Sequence, residues 1–381
     1  MDARTFPADA GDMRPSNLPR IGVCLLAWIS SLVFHVSGGE ILWPQRSAET
    51  NSPLIATEGV LPPILGRFGQ CQIYALDRDR YLVITAYDRE RGDGTSVSIA
   101  HAGGTCRLPM RRHNGSIASF QAANSKQPRG LFVYLTGIIG LTPPEETLVD
   151  TFRAAGWHTL VSETSFNFMQ RRSVLIDPAD FEETARDLGR DANDHLADKA
   201  YAVEAMLRLI AATHPNLALR PRILAGGSAG SIALPTVAAR IGHSEASILI
   251  GAGGNVGRIL CESSLEPVSL YQHRREDGQV YRRRLSDADL RRVGDAIYAH
   301  TPLDPLRLAS VLRGRPVLLM RAELDRMVPA ETNDLLWNQL GQPYRWSLPV
   351  NHLVLFGMLQ FQSGTILKWT EQALVSGGEA P

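Results

Sequence analysis

From Gly130 onward, short apolar runs alternate with longer amphipathic segments, and this alternation constrains the fold more than any other feature of the sequence. The runs predicted as strands are Leu131–Leu135, His158–Val161, Arg222–Ala225, Ala246–Ile250, Pro316–Met320 and Tyr344–Leu348. The segments predicted as helices are Glu145–Ala155, Ala185–Thr213, Ala229–Ile241, Glu331–Leu340 and Val354–Leu374. Apolar strands separated by helices indicate a parallel sheet whose crossover helices cover both faces. We therefore predict an α/β fold with a mostly parallel central sheet flanked by helices.

Two segments of the chain depart from this alternation. Residues 40–106 contain short strand-like runs, such as Cys71–Ala75 and Tyr81–Ala86, separated by charged or glycine-rich turns. They predict a β-rich N-terminal extension. The stretch at about 255–312 is charged, mostly helical in pattern and too long for a crossover, so we predict a helical cap inserted into a domain that spans 107–381. The candidates to line a pocket under this cap are Tyr271, Tyr281 and Tyr298.

The N-terminal segment contains an apolar run of sixteen residues, Ile21–Val36, which has no formal charge and follows Arg14 and Arg20. Such a run with basic residues ahead of it and small residues at its exit is typical of a secretory signal. It is shorter than the about 20 residues of a comfortable bilayer span, although shorter anchors occur. We predict that 1–39 is a signal peptide or signal anchor. The rest of the chain would then lie outside the cytoplasm, either released or held at a membrane through residues 21–36. A buried core helix is the alternative.

Charge and cysteine content argue against several classes of function. The 39 basic and 39 acidic residues give a formal net charge of zero, so the composition gives no electrostatic indication of nucleic-acid binding, which would need a clustered basic face. The sequence has neither a CxxC nor an HExxH motif, and we expect no metal and no cofactor. Cys71 and Cys106 could form a disulfide outside the cytoplasm or could be unbridged buried thiols.

The sharpest motif is Gly226-Gly227-Ser228-Ala229-Gly230, which joins an apolar run to an alanine-rich helix. In a GxSxG elbow, the serine occupies a strained strand-to-helix turn, and the glycines avoid collisions with the neighbouring backbone. The alternative is a tight glycine turn in which the serine only caps the helix. A serine is a weak nucleophile without a base, so a catalytic interpretation requires a histidine and a carboxylate further along the chain.

Asp325 and His352 meet this requirement. Asp325 lies in a loop just past the apolar strand Val317–Met320, and His352 lies just past the short strand that ends at Leu348. The chain order serine, aspartate, histidine is the order of the α/β-hydrolase arrangement and differs from the orders in chymotrypsin and subtilisin. Glu323, two positions before Asp325, is the alternative carboxylate.

With these motifs, the chain from about Arg107 to its C-terminus resembles an α/β-hydrolase, nearest to the serine esterases and the dienelactone-hydrolase-like members. GGSAG matches the nucleophile elbow, ELDRMVP matches the loop that carries the acid, and LPVNHLVLF matches the segment that carries the histidine. Dienelactone hydrolases proper have cysteine at the elbow, so Ser228 favours the esterases. The resemblance implies two oxyanion donors, the backbone N–H groups of Ala229 and Ile138. Ile138 follows Thr136-Gly137, where family members commonly have His-Gly.

These features predict a serine hydrolase that cleaves a small-molecule carboxylic ester, or a thioester, lactone or amide, through an acyl-enzyme on Ser228. One alternative is a non-catalytic extracytoplasmic binding protein with the same fold, and another is a peptidase or acyltransferase with the same triad. A dinucleotide-binding loop at Gly251–Gly257 is disfavoured, because its GxGxxG pattern requires glycine where this chain has Val256.

Overall fold

The computed structural model describes residues 41, 43–44, 54–87, 96–110, 112–165, 172–177, 181–217, 219–242, 244–276 and 279–375. The predicted signal or anchor segment at 1–39 lies outside these residues and stays a prediction. Within the described ranges, no helix combines the length and the apolar character needed to cross a membrane.

The described residues form strands and helices in alternating order over the C-terminal two thirds of the chain. The strands are Ile64–Phe68 (β1), Cys71–Ala75 (β2), Arg80–Ala86 (β3), Ser96–His101 (β4), Gly104–Pro109 (β5), His113–Gln121 (β6), Gly130–Leu135 (β7), Trp157–Ser162 (β8), Arg172–Leu175 (β9), Arg222–Gly227 (β10), Ala246–Ile250 (β11), Val268–Glu276 (β12), Gln279–Arg284 (β13), Val317–Ala322 (β14) and Tyr344–Leu348 (β15). The helices are Pro143–Ala154 (α1), Glu182–Thr213 (α2), Ala229–Ile241 (α3), Val256–Glu262 (α4), Asp287–Ala299 (α5), Pro305–Leu308 (α6), Ala330–Gln339 (α7), His352–Gly357 (α8) and Leu359–Val375 (α9), with a 3₁₀ helix at Ala309–Leu312.

A ten-stranded sheet in the order β1-β2-β3-β6-β8-β7-β10-β11-β14-β15 forms the centre of the fold. The six strands from β8 to β15 in this order are parallel to one another. The strands β1, β2, β3 and β6 are antiparallel to their neighbours. The predicted mostly parallel sheet is therefore confirmed, and each predicted strand of the hydrolase domain coincides with an observed one to within two residues.

Helices cover both faces of this sheet. Successive residues of a strand point to opposite faces. Accordingly, Val133 and Leu224 join the apolar core beneath α2 and α3. Phe132 and Ile223 join the core beneath α1 and α9. Because both faces are covered, β7 and β10 are buried along their whole length. This explains why these strands are continuous apolar runs in the sequence.

The predicted N-terminal extension is β-rich, and part of it continues the central sheet. Strand β3 pairs with β6 over seven residue pairs, so β1, β2 and β3 extend the sheet at one edge. β4 and β5 form a separate hairpin, and the boundary predicted at 106 falls inside β5. A small apolar core that includes Leu82 and Leu108 joins the two parts. Cys106 is a buried free thiol and forms no disulfide with Cys71.

The predicted helical cap is helical only in part. Helices α4, α5 and α6 are present, but β12 and β13 form an antiparallel hairpin, and β12 also pairs in parallel with β9. The prediction missed this hairpin because its second half is dominated by arginines. In the first half, Val268 and Leu270 stand two residues apart and both enter the core of the cap, as the period of a strand requires.

Candidate active site

Ser228 lies in a sharp turn between β10 and α3. Its backbone has φ 51° and ψ −117°, an uncommon conformation for a residue other than glycine. The Ser228 N–H donates to the carbonyl of Ile250 at 2.8 Å, which fixes the turn against β11. A Cβ added at Gly230 would lie 2.0 Å from the carbonyl oxygen of Leu135, and only glycine allows this approach of α3 to β7. The turn has the strained strand-to-helix geometry predicted for a nucleophile elbow.

The structure brings together the three side chains that the sequence singled out. The Nε2 atom of His352 lies 3.1 Å from the Oγ atom of Ser228, and its Nδ1 atom lies 2.6 Å from Oδ2 of Asp325. Both distances are within hydrogen-bonding range. His352 and Asp325 are each 7% exposed, so their contact is largely shielded from solvent. The chain thus contains a continuous hydrogen-bonded path from a buried carboxylate to a serine hydroxyl.

The loop after β14 orients the carboxylate. Oδ1 of Asp325 accepts hydrogen bonds from the backbone N–H groups of Met327 and Val328, each at 2.9 Å, which leaves Oδ2 directed at His352. Glu323, the alternative carboxylate, is exposed. The structure therefore places Asp325, and not Glu323, against the imidazole.

His352 is the first residue of α8, directly after the loop that follows β15. The side chain of Asn351 caps this helix by accepting from the N–H of Val354 at 3.0 Å. The imidazole lies 4.9 Å from the ring of Phe356. Gly251, at φ +60°, lies against both rings, because an added Cβ would be 3.1 Å from Cε1 of His352 and 3.2 Å from Cε2 of Phe356. The first glycine of the segment after β11, Gly251, thus leaves room for the imidazole of His352.

The turn that follows β7 lies beside the serine. A Cβ added at Gly137 would be 3.4 Å from Cβ of Ser228. The N–H of Gly140 donates to the carbonyl of Gly137 at 3.3 Å, so Ile138 is the second residue of a four-residue turn. Among the described residues, neither the Ile138 N–H nor the Ala229 N–H, at the start of α3, donates a hydrogen bond. Both groups are therefore available to bind an oxyanion, and this role stays a prediction.

Replacing Ile138 with proline tests this role directly, because proline removes the N–H group and is favoured at the second position of common β-turns. We expect kcat for an activated ester to fall by about 10²- to 10³-fold, the usual effect of losing one oxyanion donor. Ile138→Ala keeps the N–H and is the matched control, expected to lie within a few-fold of the wild type. Equal losses in the two variants would assign the effect to the side chain and contradict the prediction.

The central strand order and the position of the three side chains decide the fold. Apart from β1 and β2 at one edge, the strand order is β3-β6-β8-β7-β10-β11-β14-β15. Within it, β6 runs opposite to both of its neighbours, so β3 and the six strands from β8 to β15 run in one direction. The serine, the acid and the histidine each follow the carboxyl end of one of these parallel strands. The chain has the α/β-hydrolase fold. This agrees with the fold class that the sequence resemblance implied.

Comparison with known proteins gave matches among solved structures only. No family model matches the chain, and no curated protein matches its sequence. The esterase Est1E from Butyrivibrio proteoclasticus is 12% identical, with 74% of this chain and 99% of that chain covered and a TM-score of 0.43. The esterase Pf2001 from Pyrococcus furiosus is 9% identical, with 74% and 93% covered and a TM-score of 0.42. The acylaminoacyl peptidase from Pyrococcus horikoshii is 12% identical, with 80% and 50% covered and a TM-score of 0.44.

A cavity adjoins the elbow on the face of the sheet that α2 and α3 cover. Ala229, the residue after the serine, lines it together with apolar side chains such as Ile232 and Ile259. Neither Tyr271 nor Tyr298 is among the residues that line this cavity. Tyr298 packs instead against the guanidinium of Arg307 at 4.5 Å. The side chain of Tyr281, the third candidate, lies outside the described residues.

Lys199 lines the same cavity and is a buried charged residue that the sequence patterns did not single out. It is 6% exposed, and its Nζ atom donates to the carbonyl of Ser162 at 2.5 Å. Burial lowers the pKa of its ammonium group to about 7, and the nearby carboxylate of Glu163 only partly offsets this effect. The only signal in the sequence was a lysine among apolar residues of a long helix, a pattern that a solvent-exposed lysine produces equally well.

The buried Lys199 should destabilise the protein in a pH-dependent way. Its pKa of about 7 in the folded chain lies below the ordinary value near 10.4, so between these pH values the unfolded chain binds more protons and stability rises with pH. The cost of the buried charge is therefore complete below pH 7. We expect Lys199→Met to raise Tm by a few degrees at pH 6 and by less at pH 9. Lys368→Met, at an exposed site, is the control and should not change the pH dependence of Tm. A lower Tm for Lys199→Met than for the wild type at pH 6 would contradict the prediction.

A buried glutamate beneath the elbow was also missed. Glu145 accepts from the hydroxyl of Tyr134 at 2.8 Å and from the backbone N–H of Thr142 at 2.9 Å. A Cβ added at Gly227 would lie 2.6 Å from its Oε1 atom, so the glycine and the glutamate fit each other. The spacing of Thr142 and Glu145 is that of a capping box and could have located the start of α1. The contact of Glu145 with Gly227 depends on the order of the strands in the sheet, which the local sequence does not show.

Proposed function

We propose that this protein is a serine hydrolase that cleaves a carboxylic ester through an acyl-enzyme formed on Ser228. The observation that carries the proposal is the hydrogen-bonded path from Asp325 through His352 to Ser228, at 2.6 and 3.1 Å, ending at a strained elbow. A glycine turn with a merely capping serine would not require a buried imidazole and carboxylate aligned on its hydroxyl. The arrangement is that of a nucleophile, a base and an orienting acid.

The proposed reaction has two steps. Ser228 Oγ attacks the acyl carbonyl while His352 Nε2 accepts its proton, and the N–H groups of Ala229 and Ile138 stabilise the negative oxygen. The ester C–O bond breaks, and the alcohol leaves with the proton from His352. A water molecule then gives a proton to His352 and attacks the acyl-enzyme, and the acid is released as Ser228 recovers its proton. Asp325 stabilises the imidazolium in both steps.

Two other functions use the same geometry. A peptidase or an acyltransferase would share the acyl-enzyme and differ in the leaving group or in the acceptor. A non-catalytic binding protein would have the fold without turnover, but then nothing would require a base positioned on the serine. The complete path from Asp325 to Ser228 therefore favours an enzyme, and the ester class is the simplest acyl donor for it.

Reaction with a fluorophosphonate probe tests the proposal without a known substrate, because the probe modifies only an activated serine. We expect the wild-type protein and the Ser98→Ala control, whose exposed serine is in the β4–β5 hairpin, to be labelled equally. Ser228→Ala should not be labelled. Labelling that persists in Ser228→Ala, or no labelling of a folded wild-type protein by probes of several sizes, would overturn the proposal. Hydrolysis of esters, thioesters and amides would then be compared with the same three proteins.

A further inference from the structure

The cavity beside the elbow changes in character along its length. On α2 it is lined by Asp191, His195 and Lys199, which are spaced four residues apart and so share one face of the helix. Asp191 and His195 are partly exposed, whereas Lys199 is 6% exposed. Along this helix face, the lining therefore passes from a partly exposed carboxylate to a buried cation.

Hydrogen bonds to backbone carbonyls link Lys199 to the turn beside the elbow. Lys199 donates to the carbonyl of Ser162, the last residue of β8, which is paired in register with Leu135 at the end of β7. Two residues further on, the hydroxyl of Thr164 donates to the carbonyl of Thr136 at 2.9 Å. The segment from Ser162 to Thr164 thus connects the ammonium group to the turn that carries the predicted oxyanion donor.

The ammonium group has capacity for a ligand. A lysine ammonium has three N–H donors, and among the described residues the carbonyl of Ser162 is the one acceptor that lies within hydrogen-bonding distance of it. Glu163 is near enough to contribute a negative charge. Its Oε2 atom, however, lies beside the turn, 3.9 Å from the position of a Cβ added at Gly140. The neighbouring Asp198 has Oδ2 bonded to Asn114 Nδ2 at 2.7 Å and to the hydroxyl of Tyr87. A buried ammonium with open donors is costly unless an anion pairs with it.

We propose that Lys199 binds a carboxylate of the substrate, so that the preferred esters carry a free carboxylate separated from the scissile bond by an apolar segment. The inference rests on the proposed function and specifies the substrate class of that same site. The apolar side chains of Ile232, Ile259 and Leu196 would contact the methylene groups between the two ends. A charge-assisted hydrogen bond from the buried ammonium would bind the carboxylate.

The destabilising environment of Lys199 supports a role in binding. Burial lowers the pKa of its ammonium group to about 7, and a carboxylate bound beside it would favour the charged form. Methionine has a similar length and no charge, so it would fill the same space without the cost of burying an ammonium group. A charged group in an environment that favours an apolar side chain often marks a functional site.

The test compares pairs of esters that differ only in a terminal carboxylate. Mono-p-nitrophenyl glutarate is paired with p-nitrophenyl pentanoate, which places the carboxylate in the acyl part. The acetyl ester of 4-hydroxybutyrate is paired with butyl acetate, which places it in the alcohol part. For the wild type, we expect the ratio of kcat/KM for the acidic ester to that for the neutral ester to exceed ten in one of the two pairs. The pair that shows the preference identifies the part of the substrate that occupies the cavity.

Variants separate a binding role from a structural one. In Lys199→Met, the ratio of the preferred pair should fall at least tenfold, whereas Lys368→Met, at an exposed site, should keep the wild-type ratio. A ratio in Lys199→Met within threefold of the wild type would overturn the inference. If this variant does not fold, the wild type still decides, because a ratio near one in both pairs overturns the inference by itself.

The outcomes also separate the two proposals. Neutral esters that are hydrolysed only when Ser228 is present, without preference for a carboxylate, would leave the proposed function intact and remove the inference. Hydrolysis that Ser228→Ala retains in full would remove the proposed function. A preference for the acidic ester that depends on both Ser228 and Lys199 supports both proposals.

Discussion

Replacing His352 with glutamine should reduce kcat for p-nitrophenyl acetate by about 10⁴- to 10⁶-fold, while the folded structure persists. Glutamine is polar and close to histidine in size, so it can occupy the space between Asp325 and Phe356. It cannot accept a proton from Ser228 at neutral pH, because an amide is a very weak base. Without the base, the hydroxyl stays a weak nucleophile, and losses of this size follow removal of the histidine in comparable triads.

The matched control is His214→Gln, at an exposed site after the end of α2. It makes the same chemical change away from the elbow and should keep kcat within about twofold of the wild type. Thermal unfolding of both variants establishes that they fold. A His352→Gln variant that retains more than a tenth of the wild-type kcat with an unchanged Tm would show that His352 is not the base.

The sequence predicted the sheet and the three aligned side chains because each depends on local patterns that the fold then brings together. Strands buried on both faces must be continuously apolar, so β7, β10 and β11 were visible as runs. Ser228 and Asp325 each follow such a run, and His352 follows the short edge strand β15, which is less buried. Since the carboxyl ends of parallel strands lie at one edge of the sheet, the order of the motifs along the chain was enough to place them together.

Other features depend on contacts between distant segments, and local patterns do not report these contacts. The buried environment of Lys199 arises from its contact with the end of β8, and the packing of Glu145 against Gly227 arises where α1 meets the elbow. The hairpin β12–β13 pairs with β9, about one hundred residues earlier, and its arginine-rich half conceals the period of a strand. The turn at Ile138 was located from the family resemblance, because its own sequence carries no signal for an oxyanion donor.

Asp325→Asn should lower kcat by roughly 10⁴-fold, although it changes one oxygen to a nitrogen. The backbone N–H groups of Met327 and Val328 require an acceptor, so they would hold the amide oxygen of the new asparagine in the place of Oδ1. The NH₂ group would then face Nδ1 of His352 and donate to it. Nδ1 would have to be the unprotonated nitrogen, and the ring proton would move to Nε2, which faces Ser228. An imidazole in this tautomer cannot take the proton of the serine.

The exposed Glu323→Gln variant, two residues away, makes the same exchange of a carboxylate for an amide and should keep kcat within about twofold of the wild type. Nitrogen-15 NMR of the imidazole gives a second readout, because it should report the proton on Nδ1 in the wild type and on Nε2 in Asp325→Asn. If kcat falls while the proton stays on Nδ1, the loss comes from the missing charge and the tautomer argument is wrong. If kcat does not fall, Asp325 does not orient the base, and the hydrogen bond of 2.6 Å between Asp325 and His352 serves only the packing of the loop.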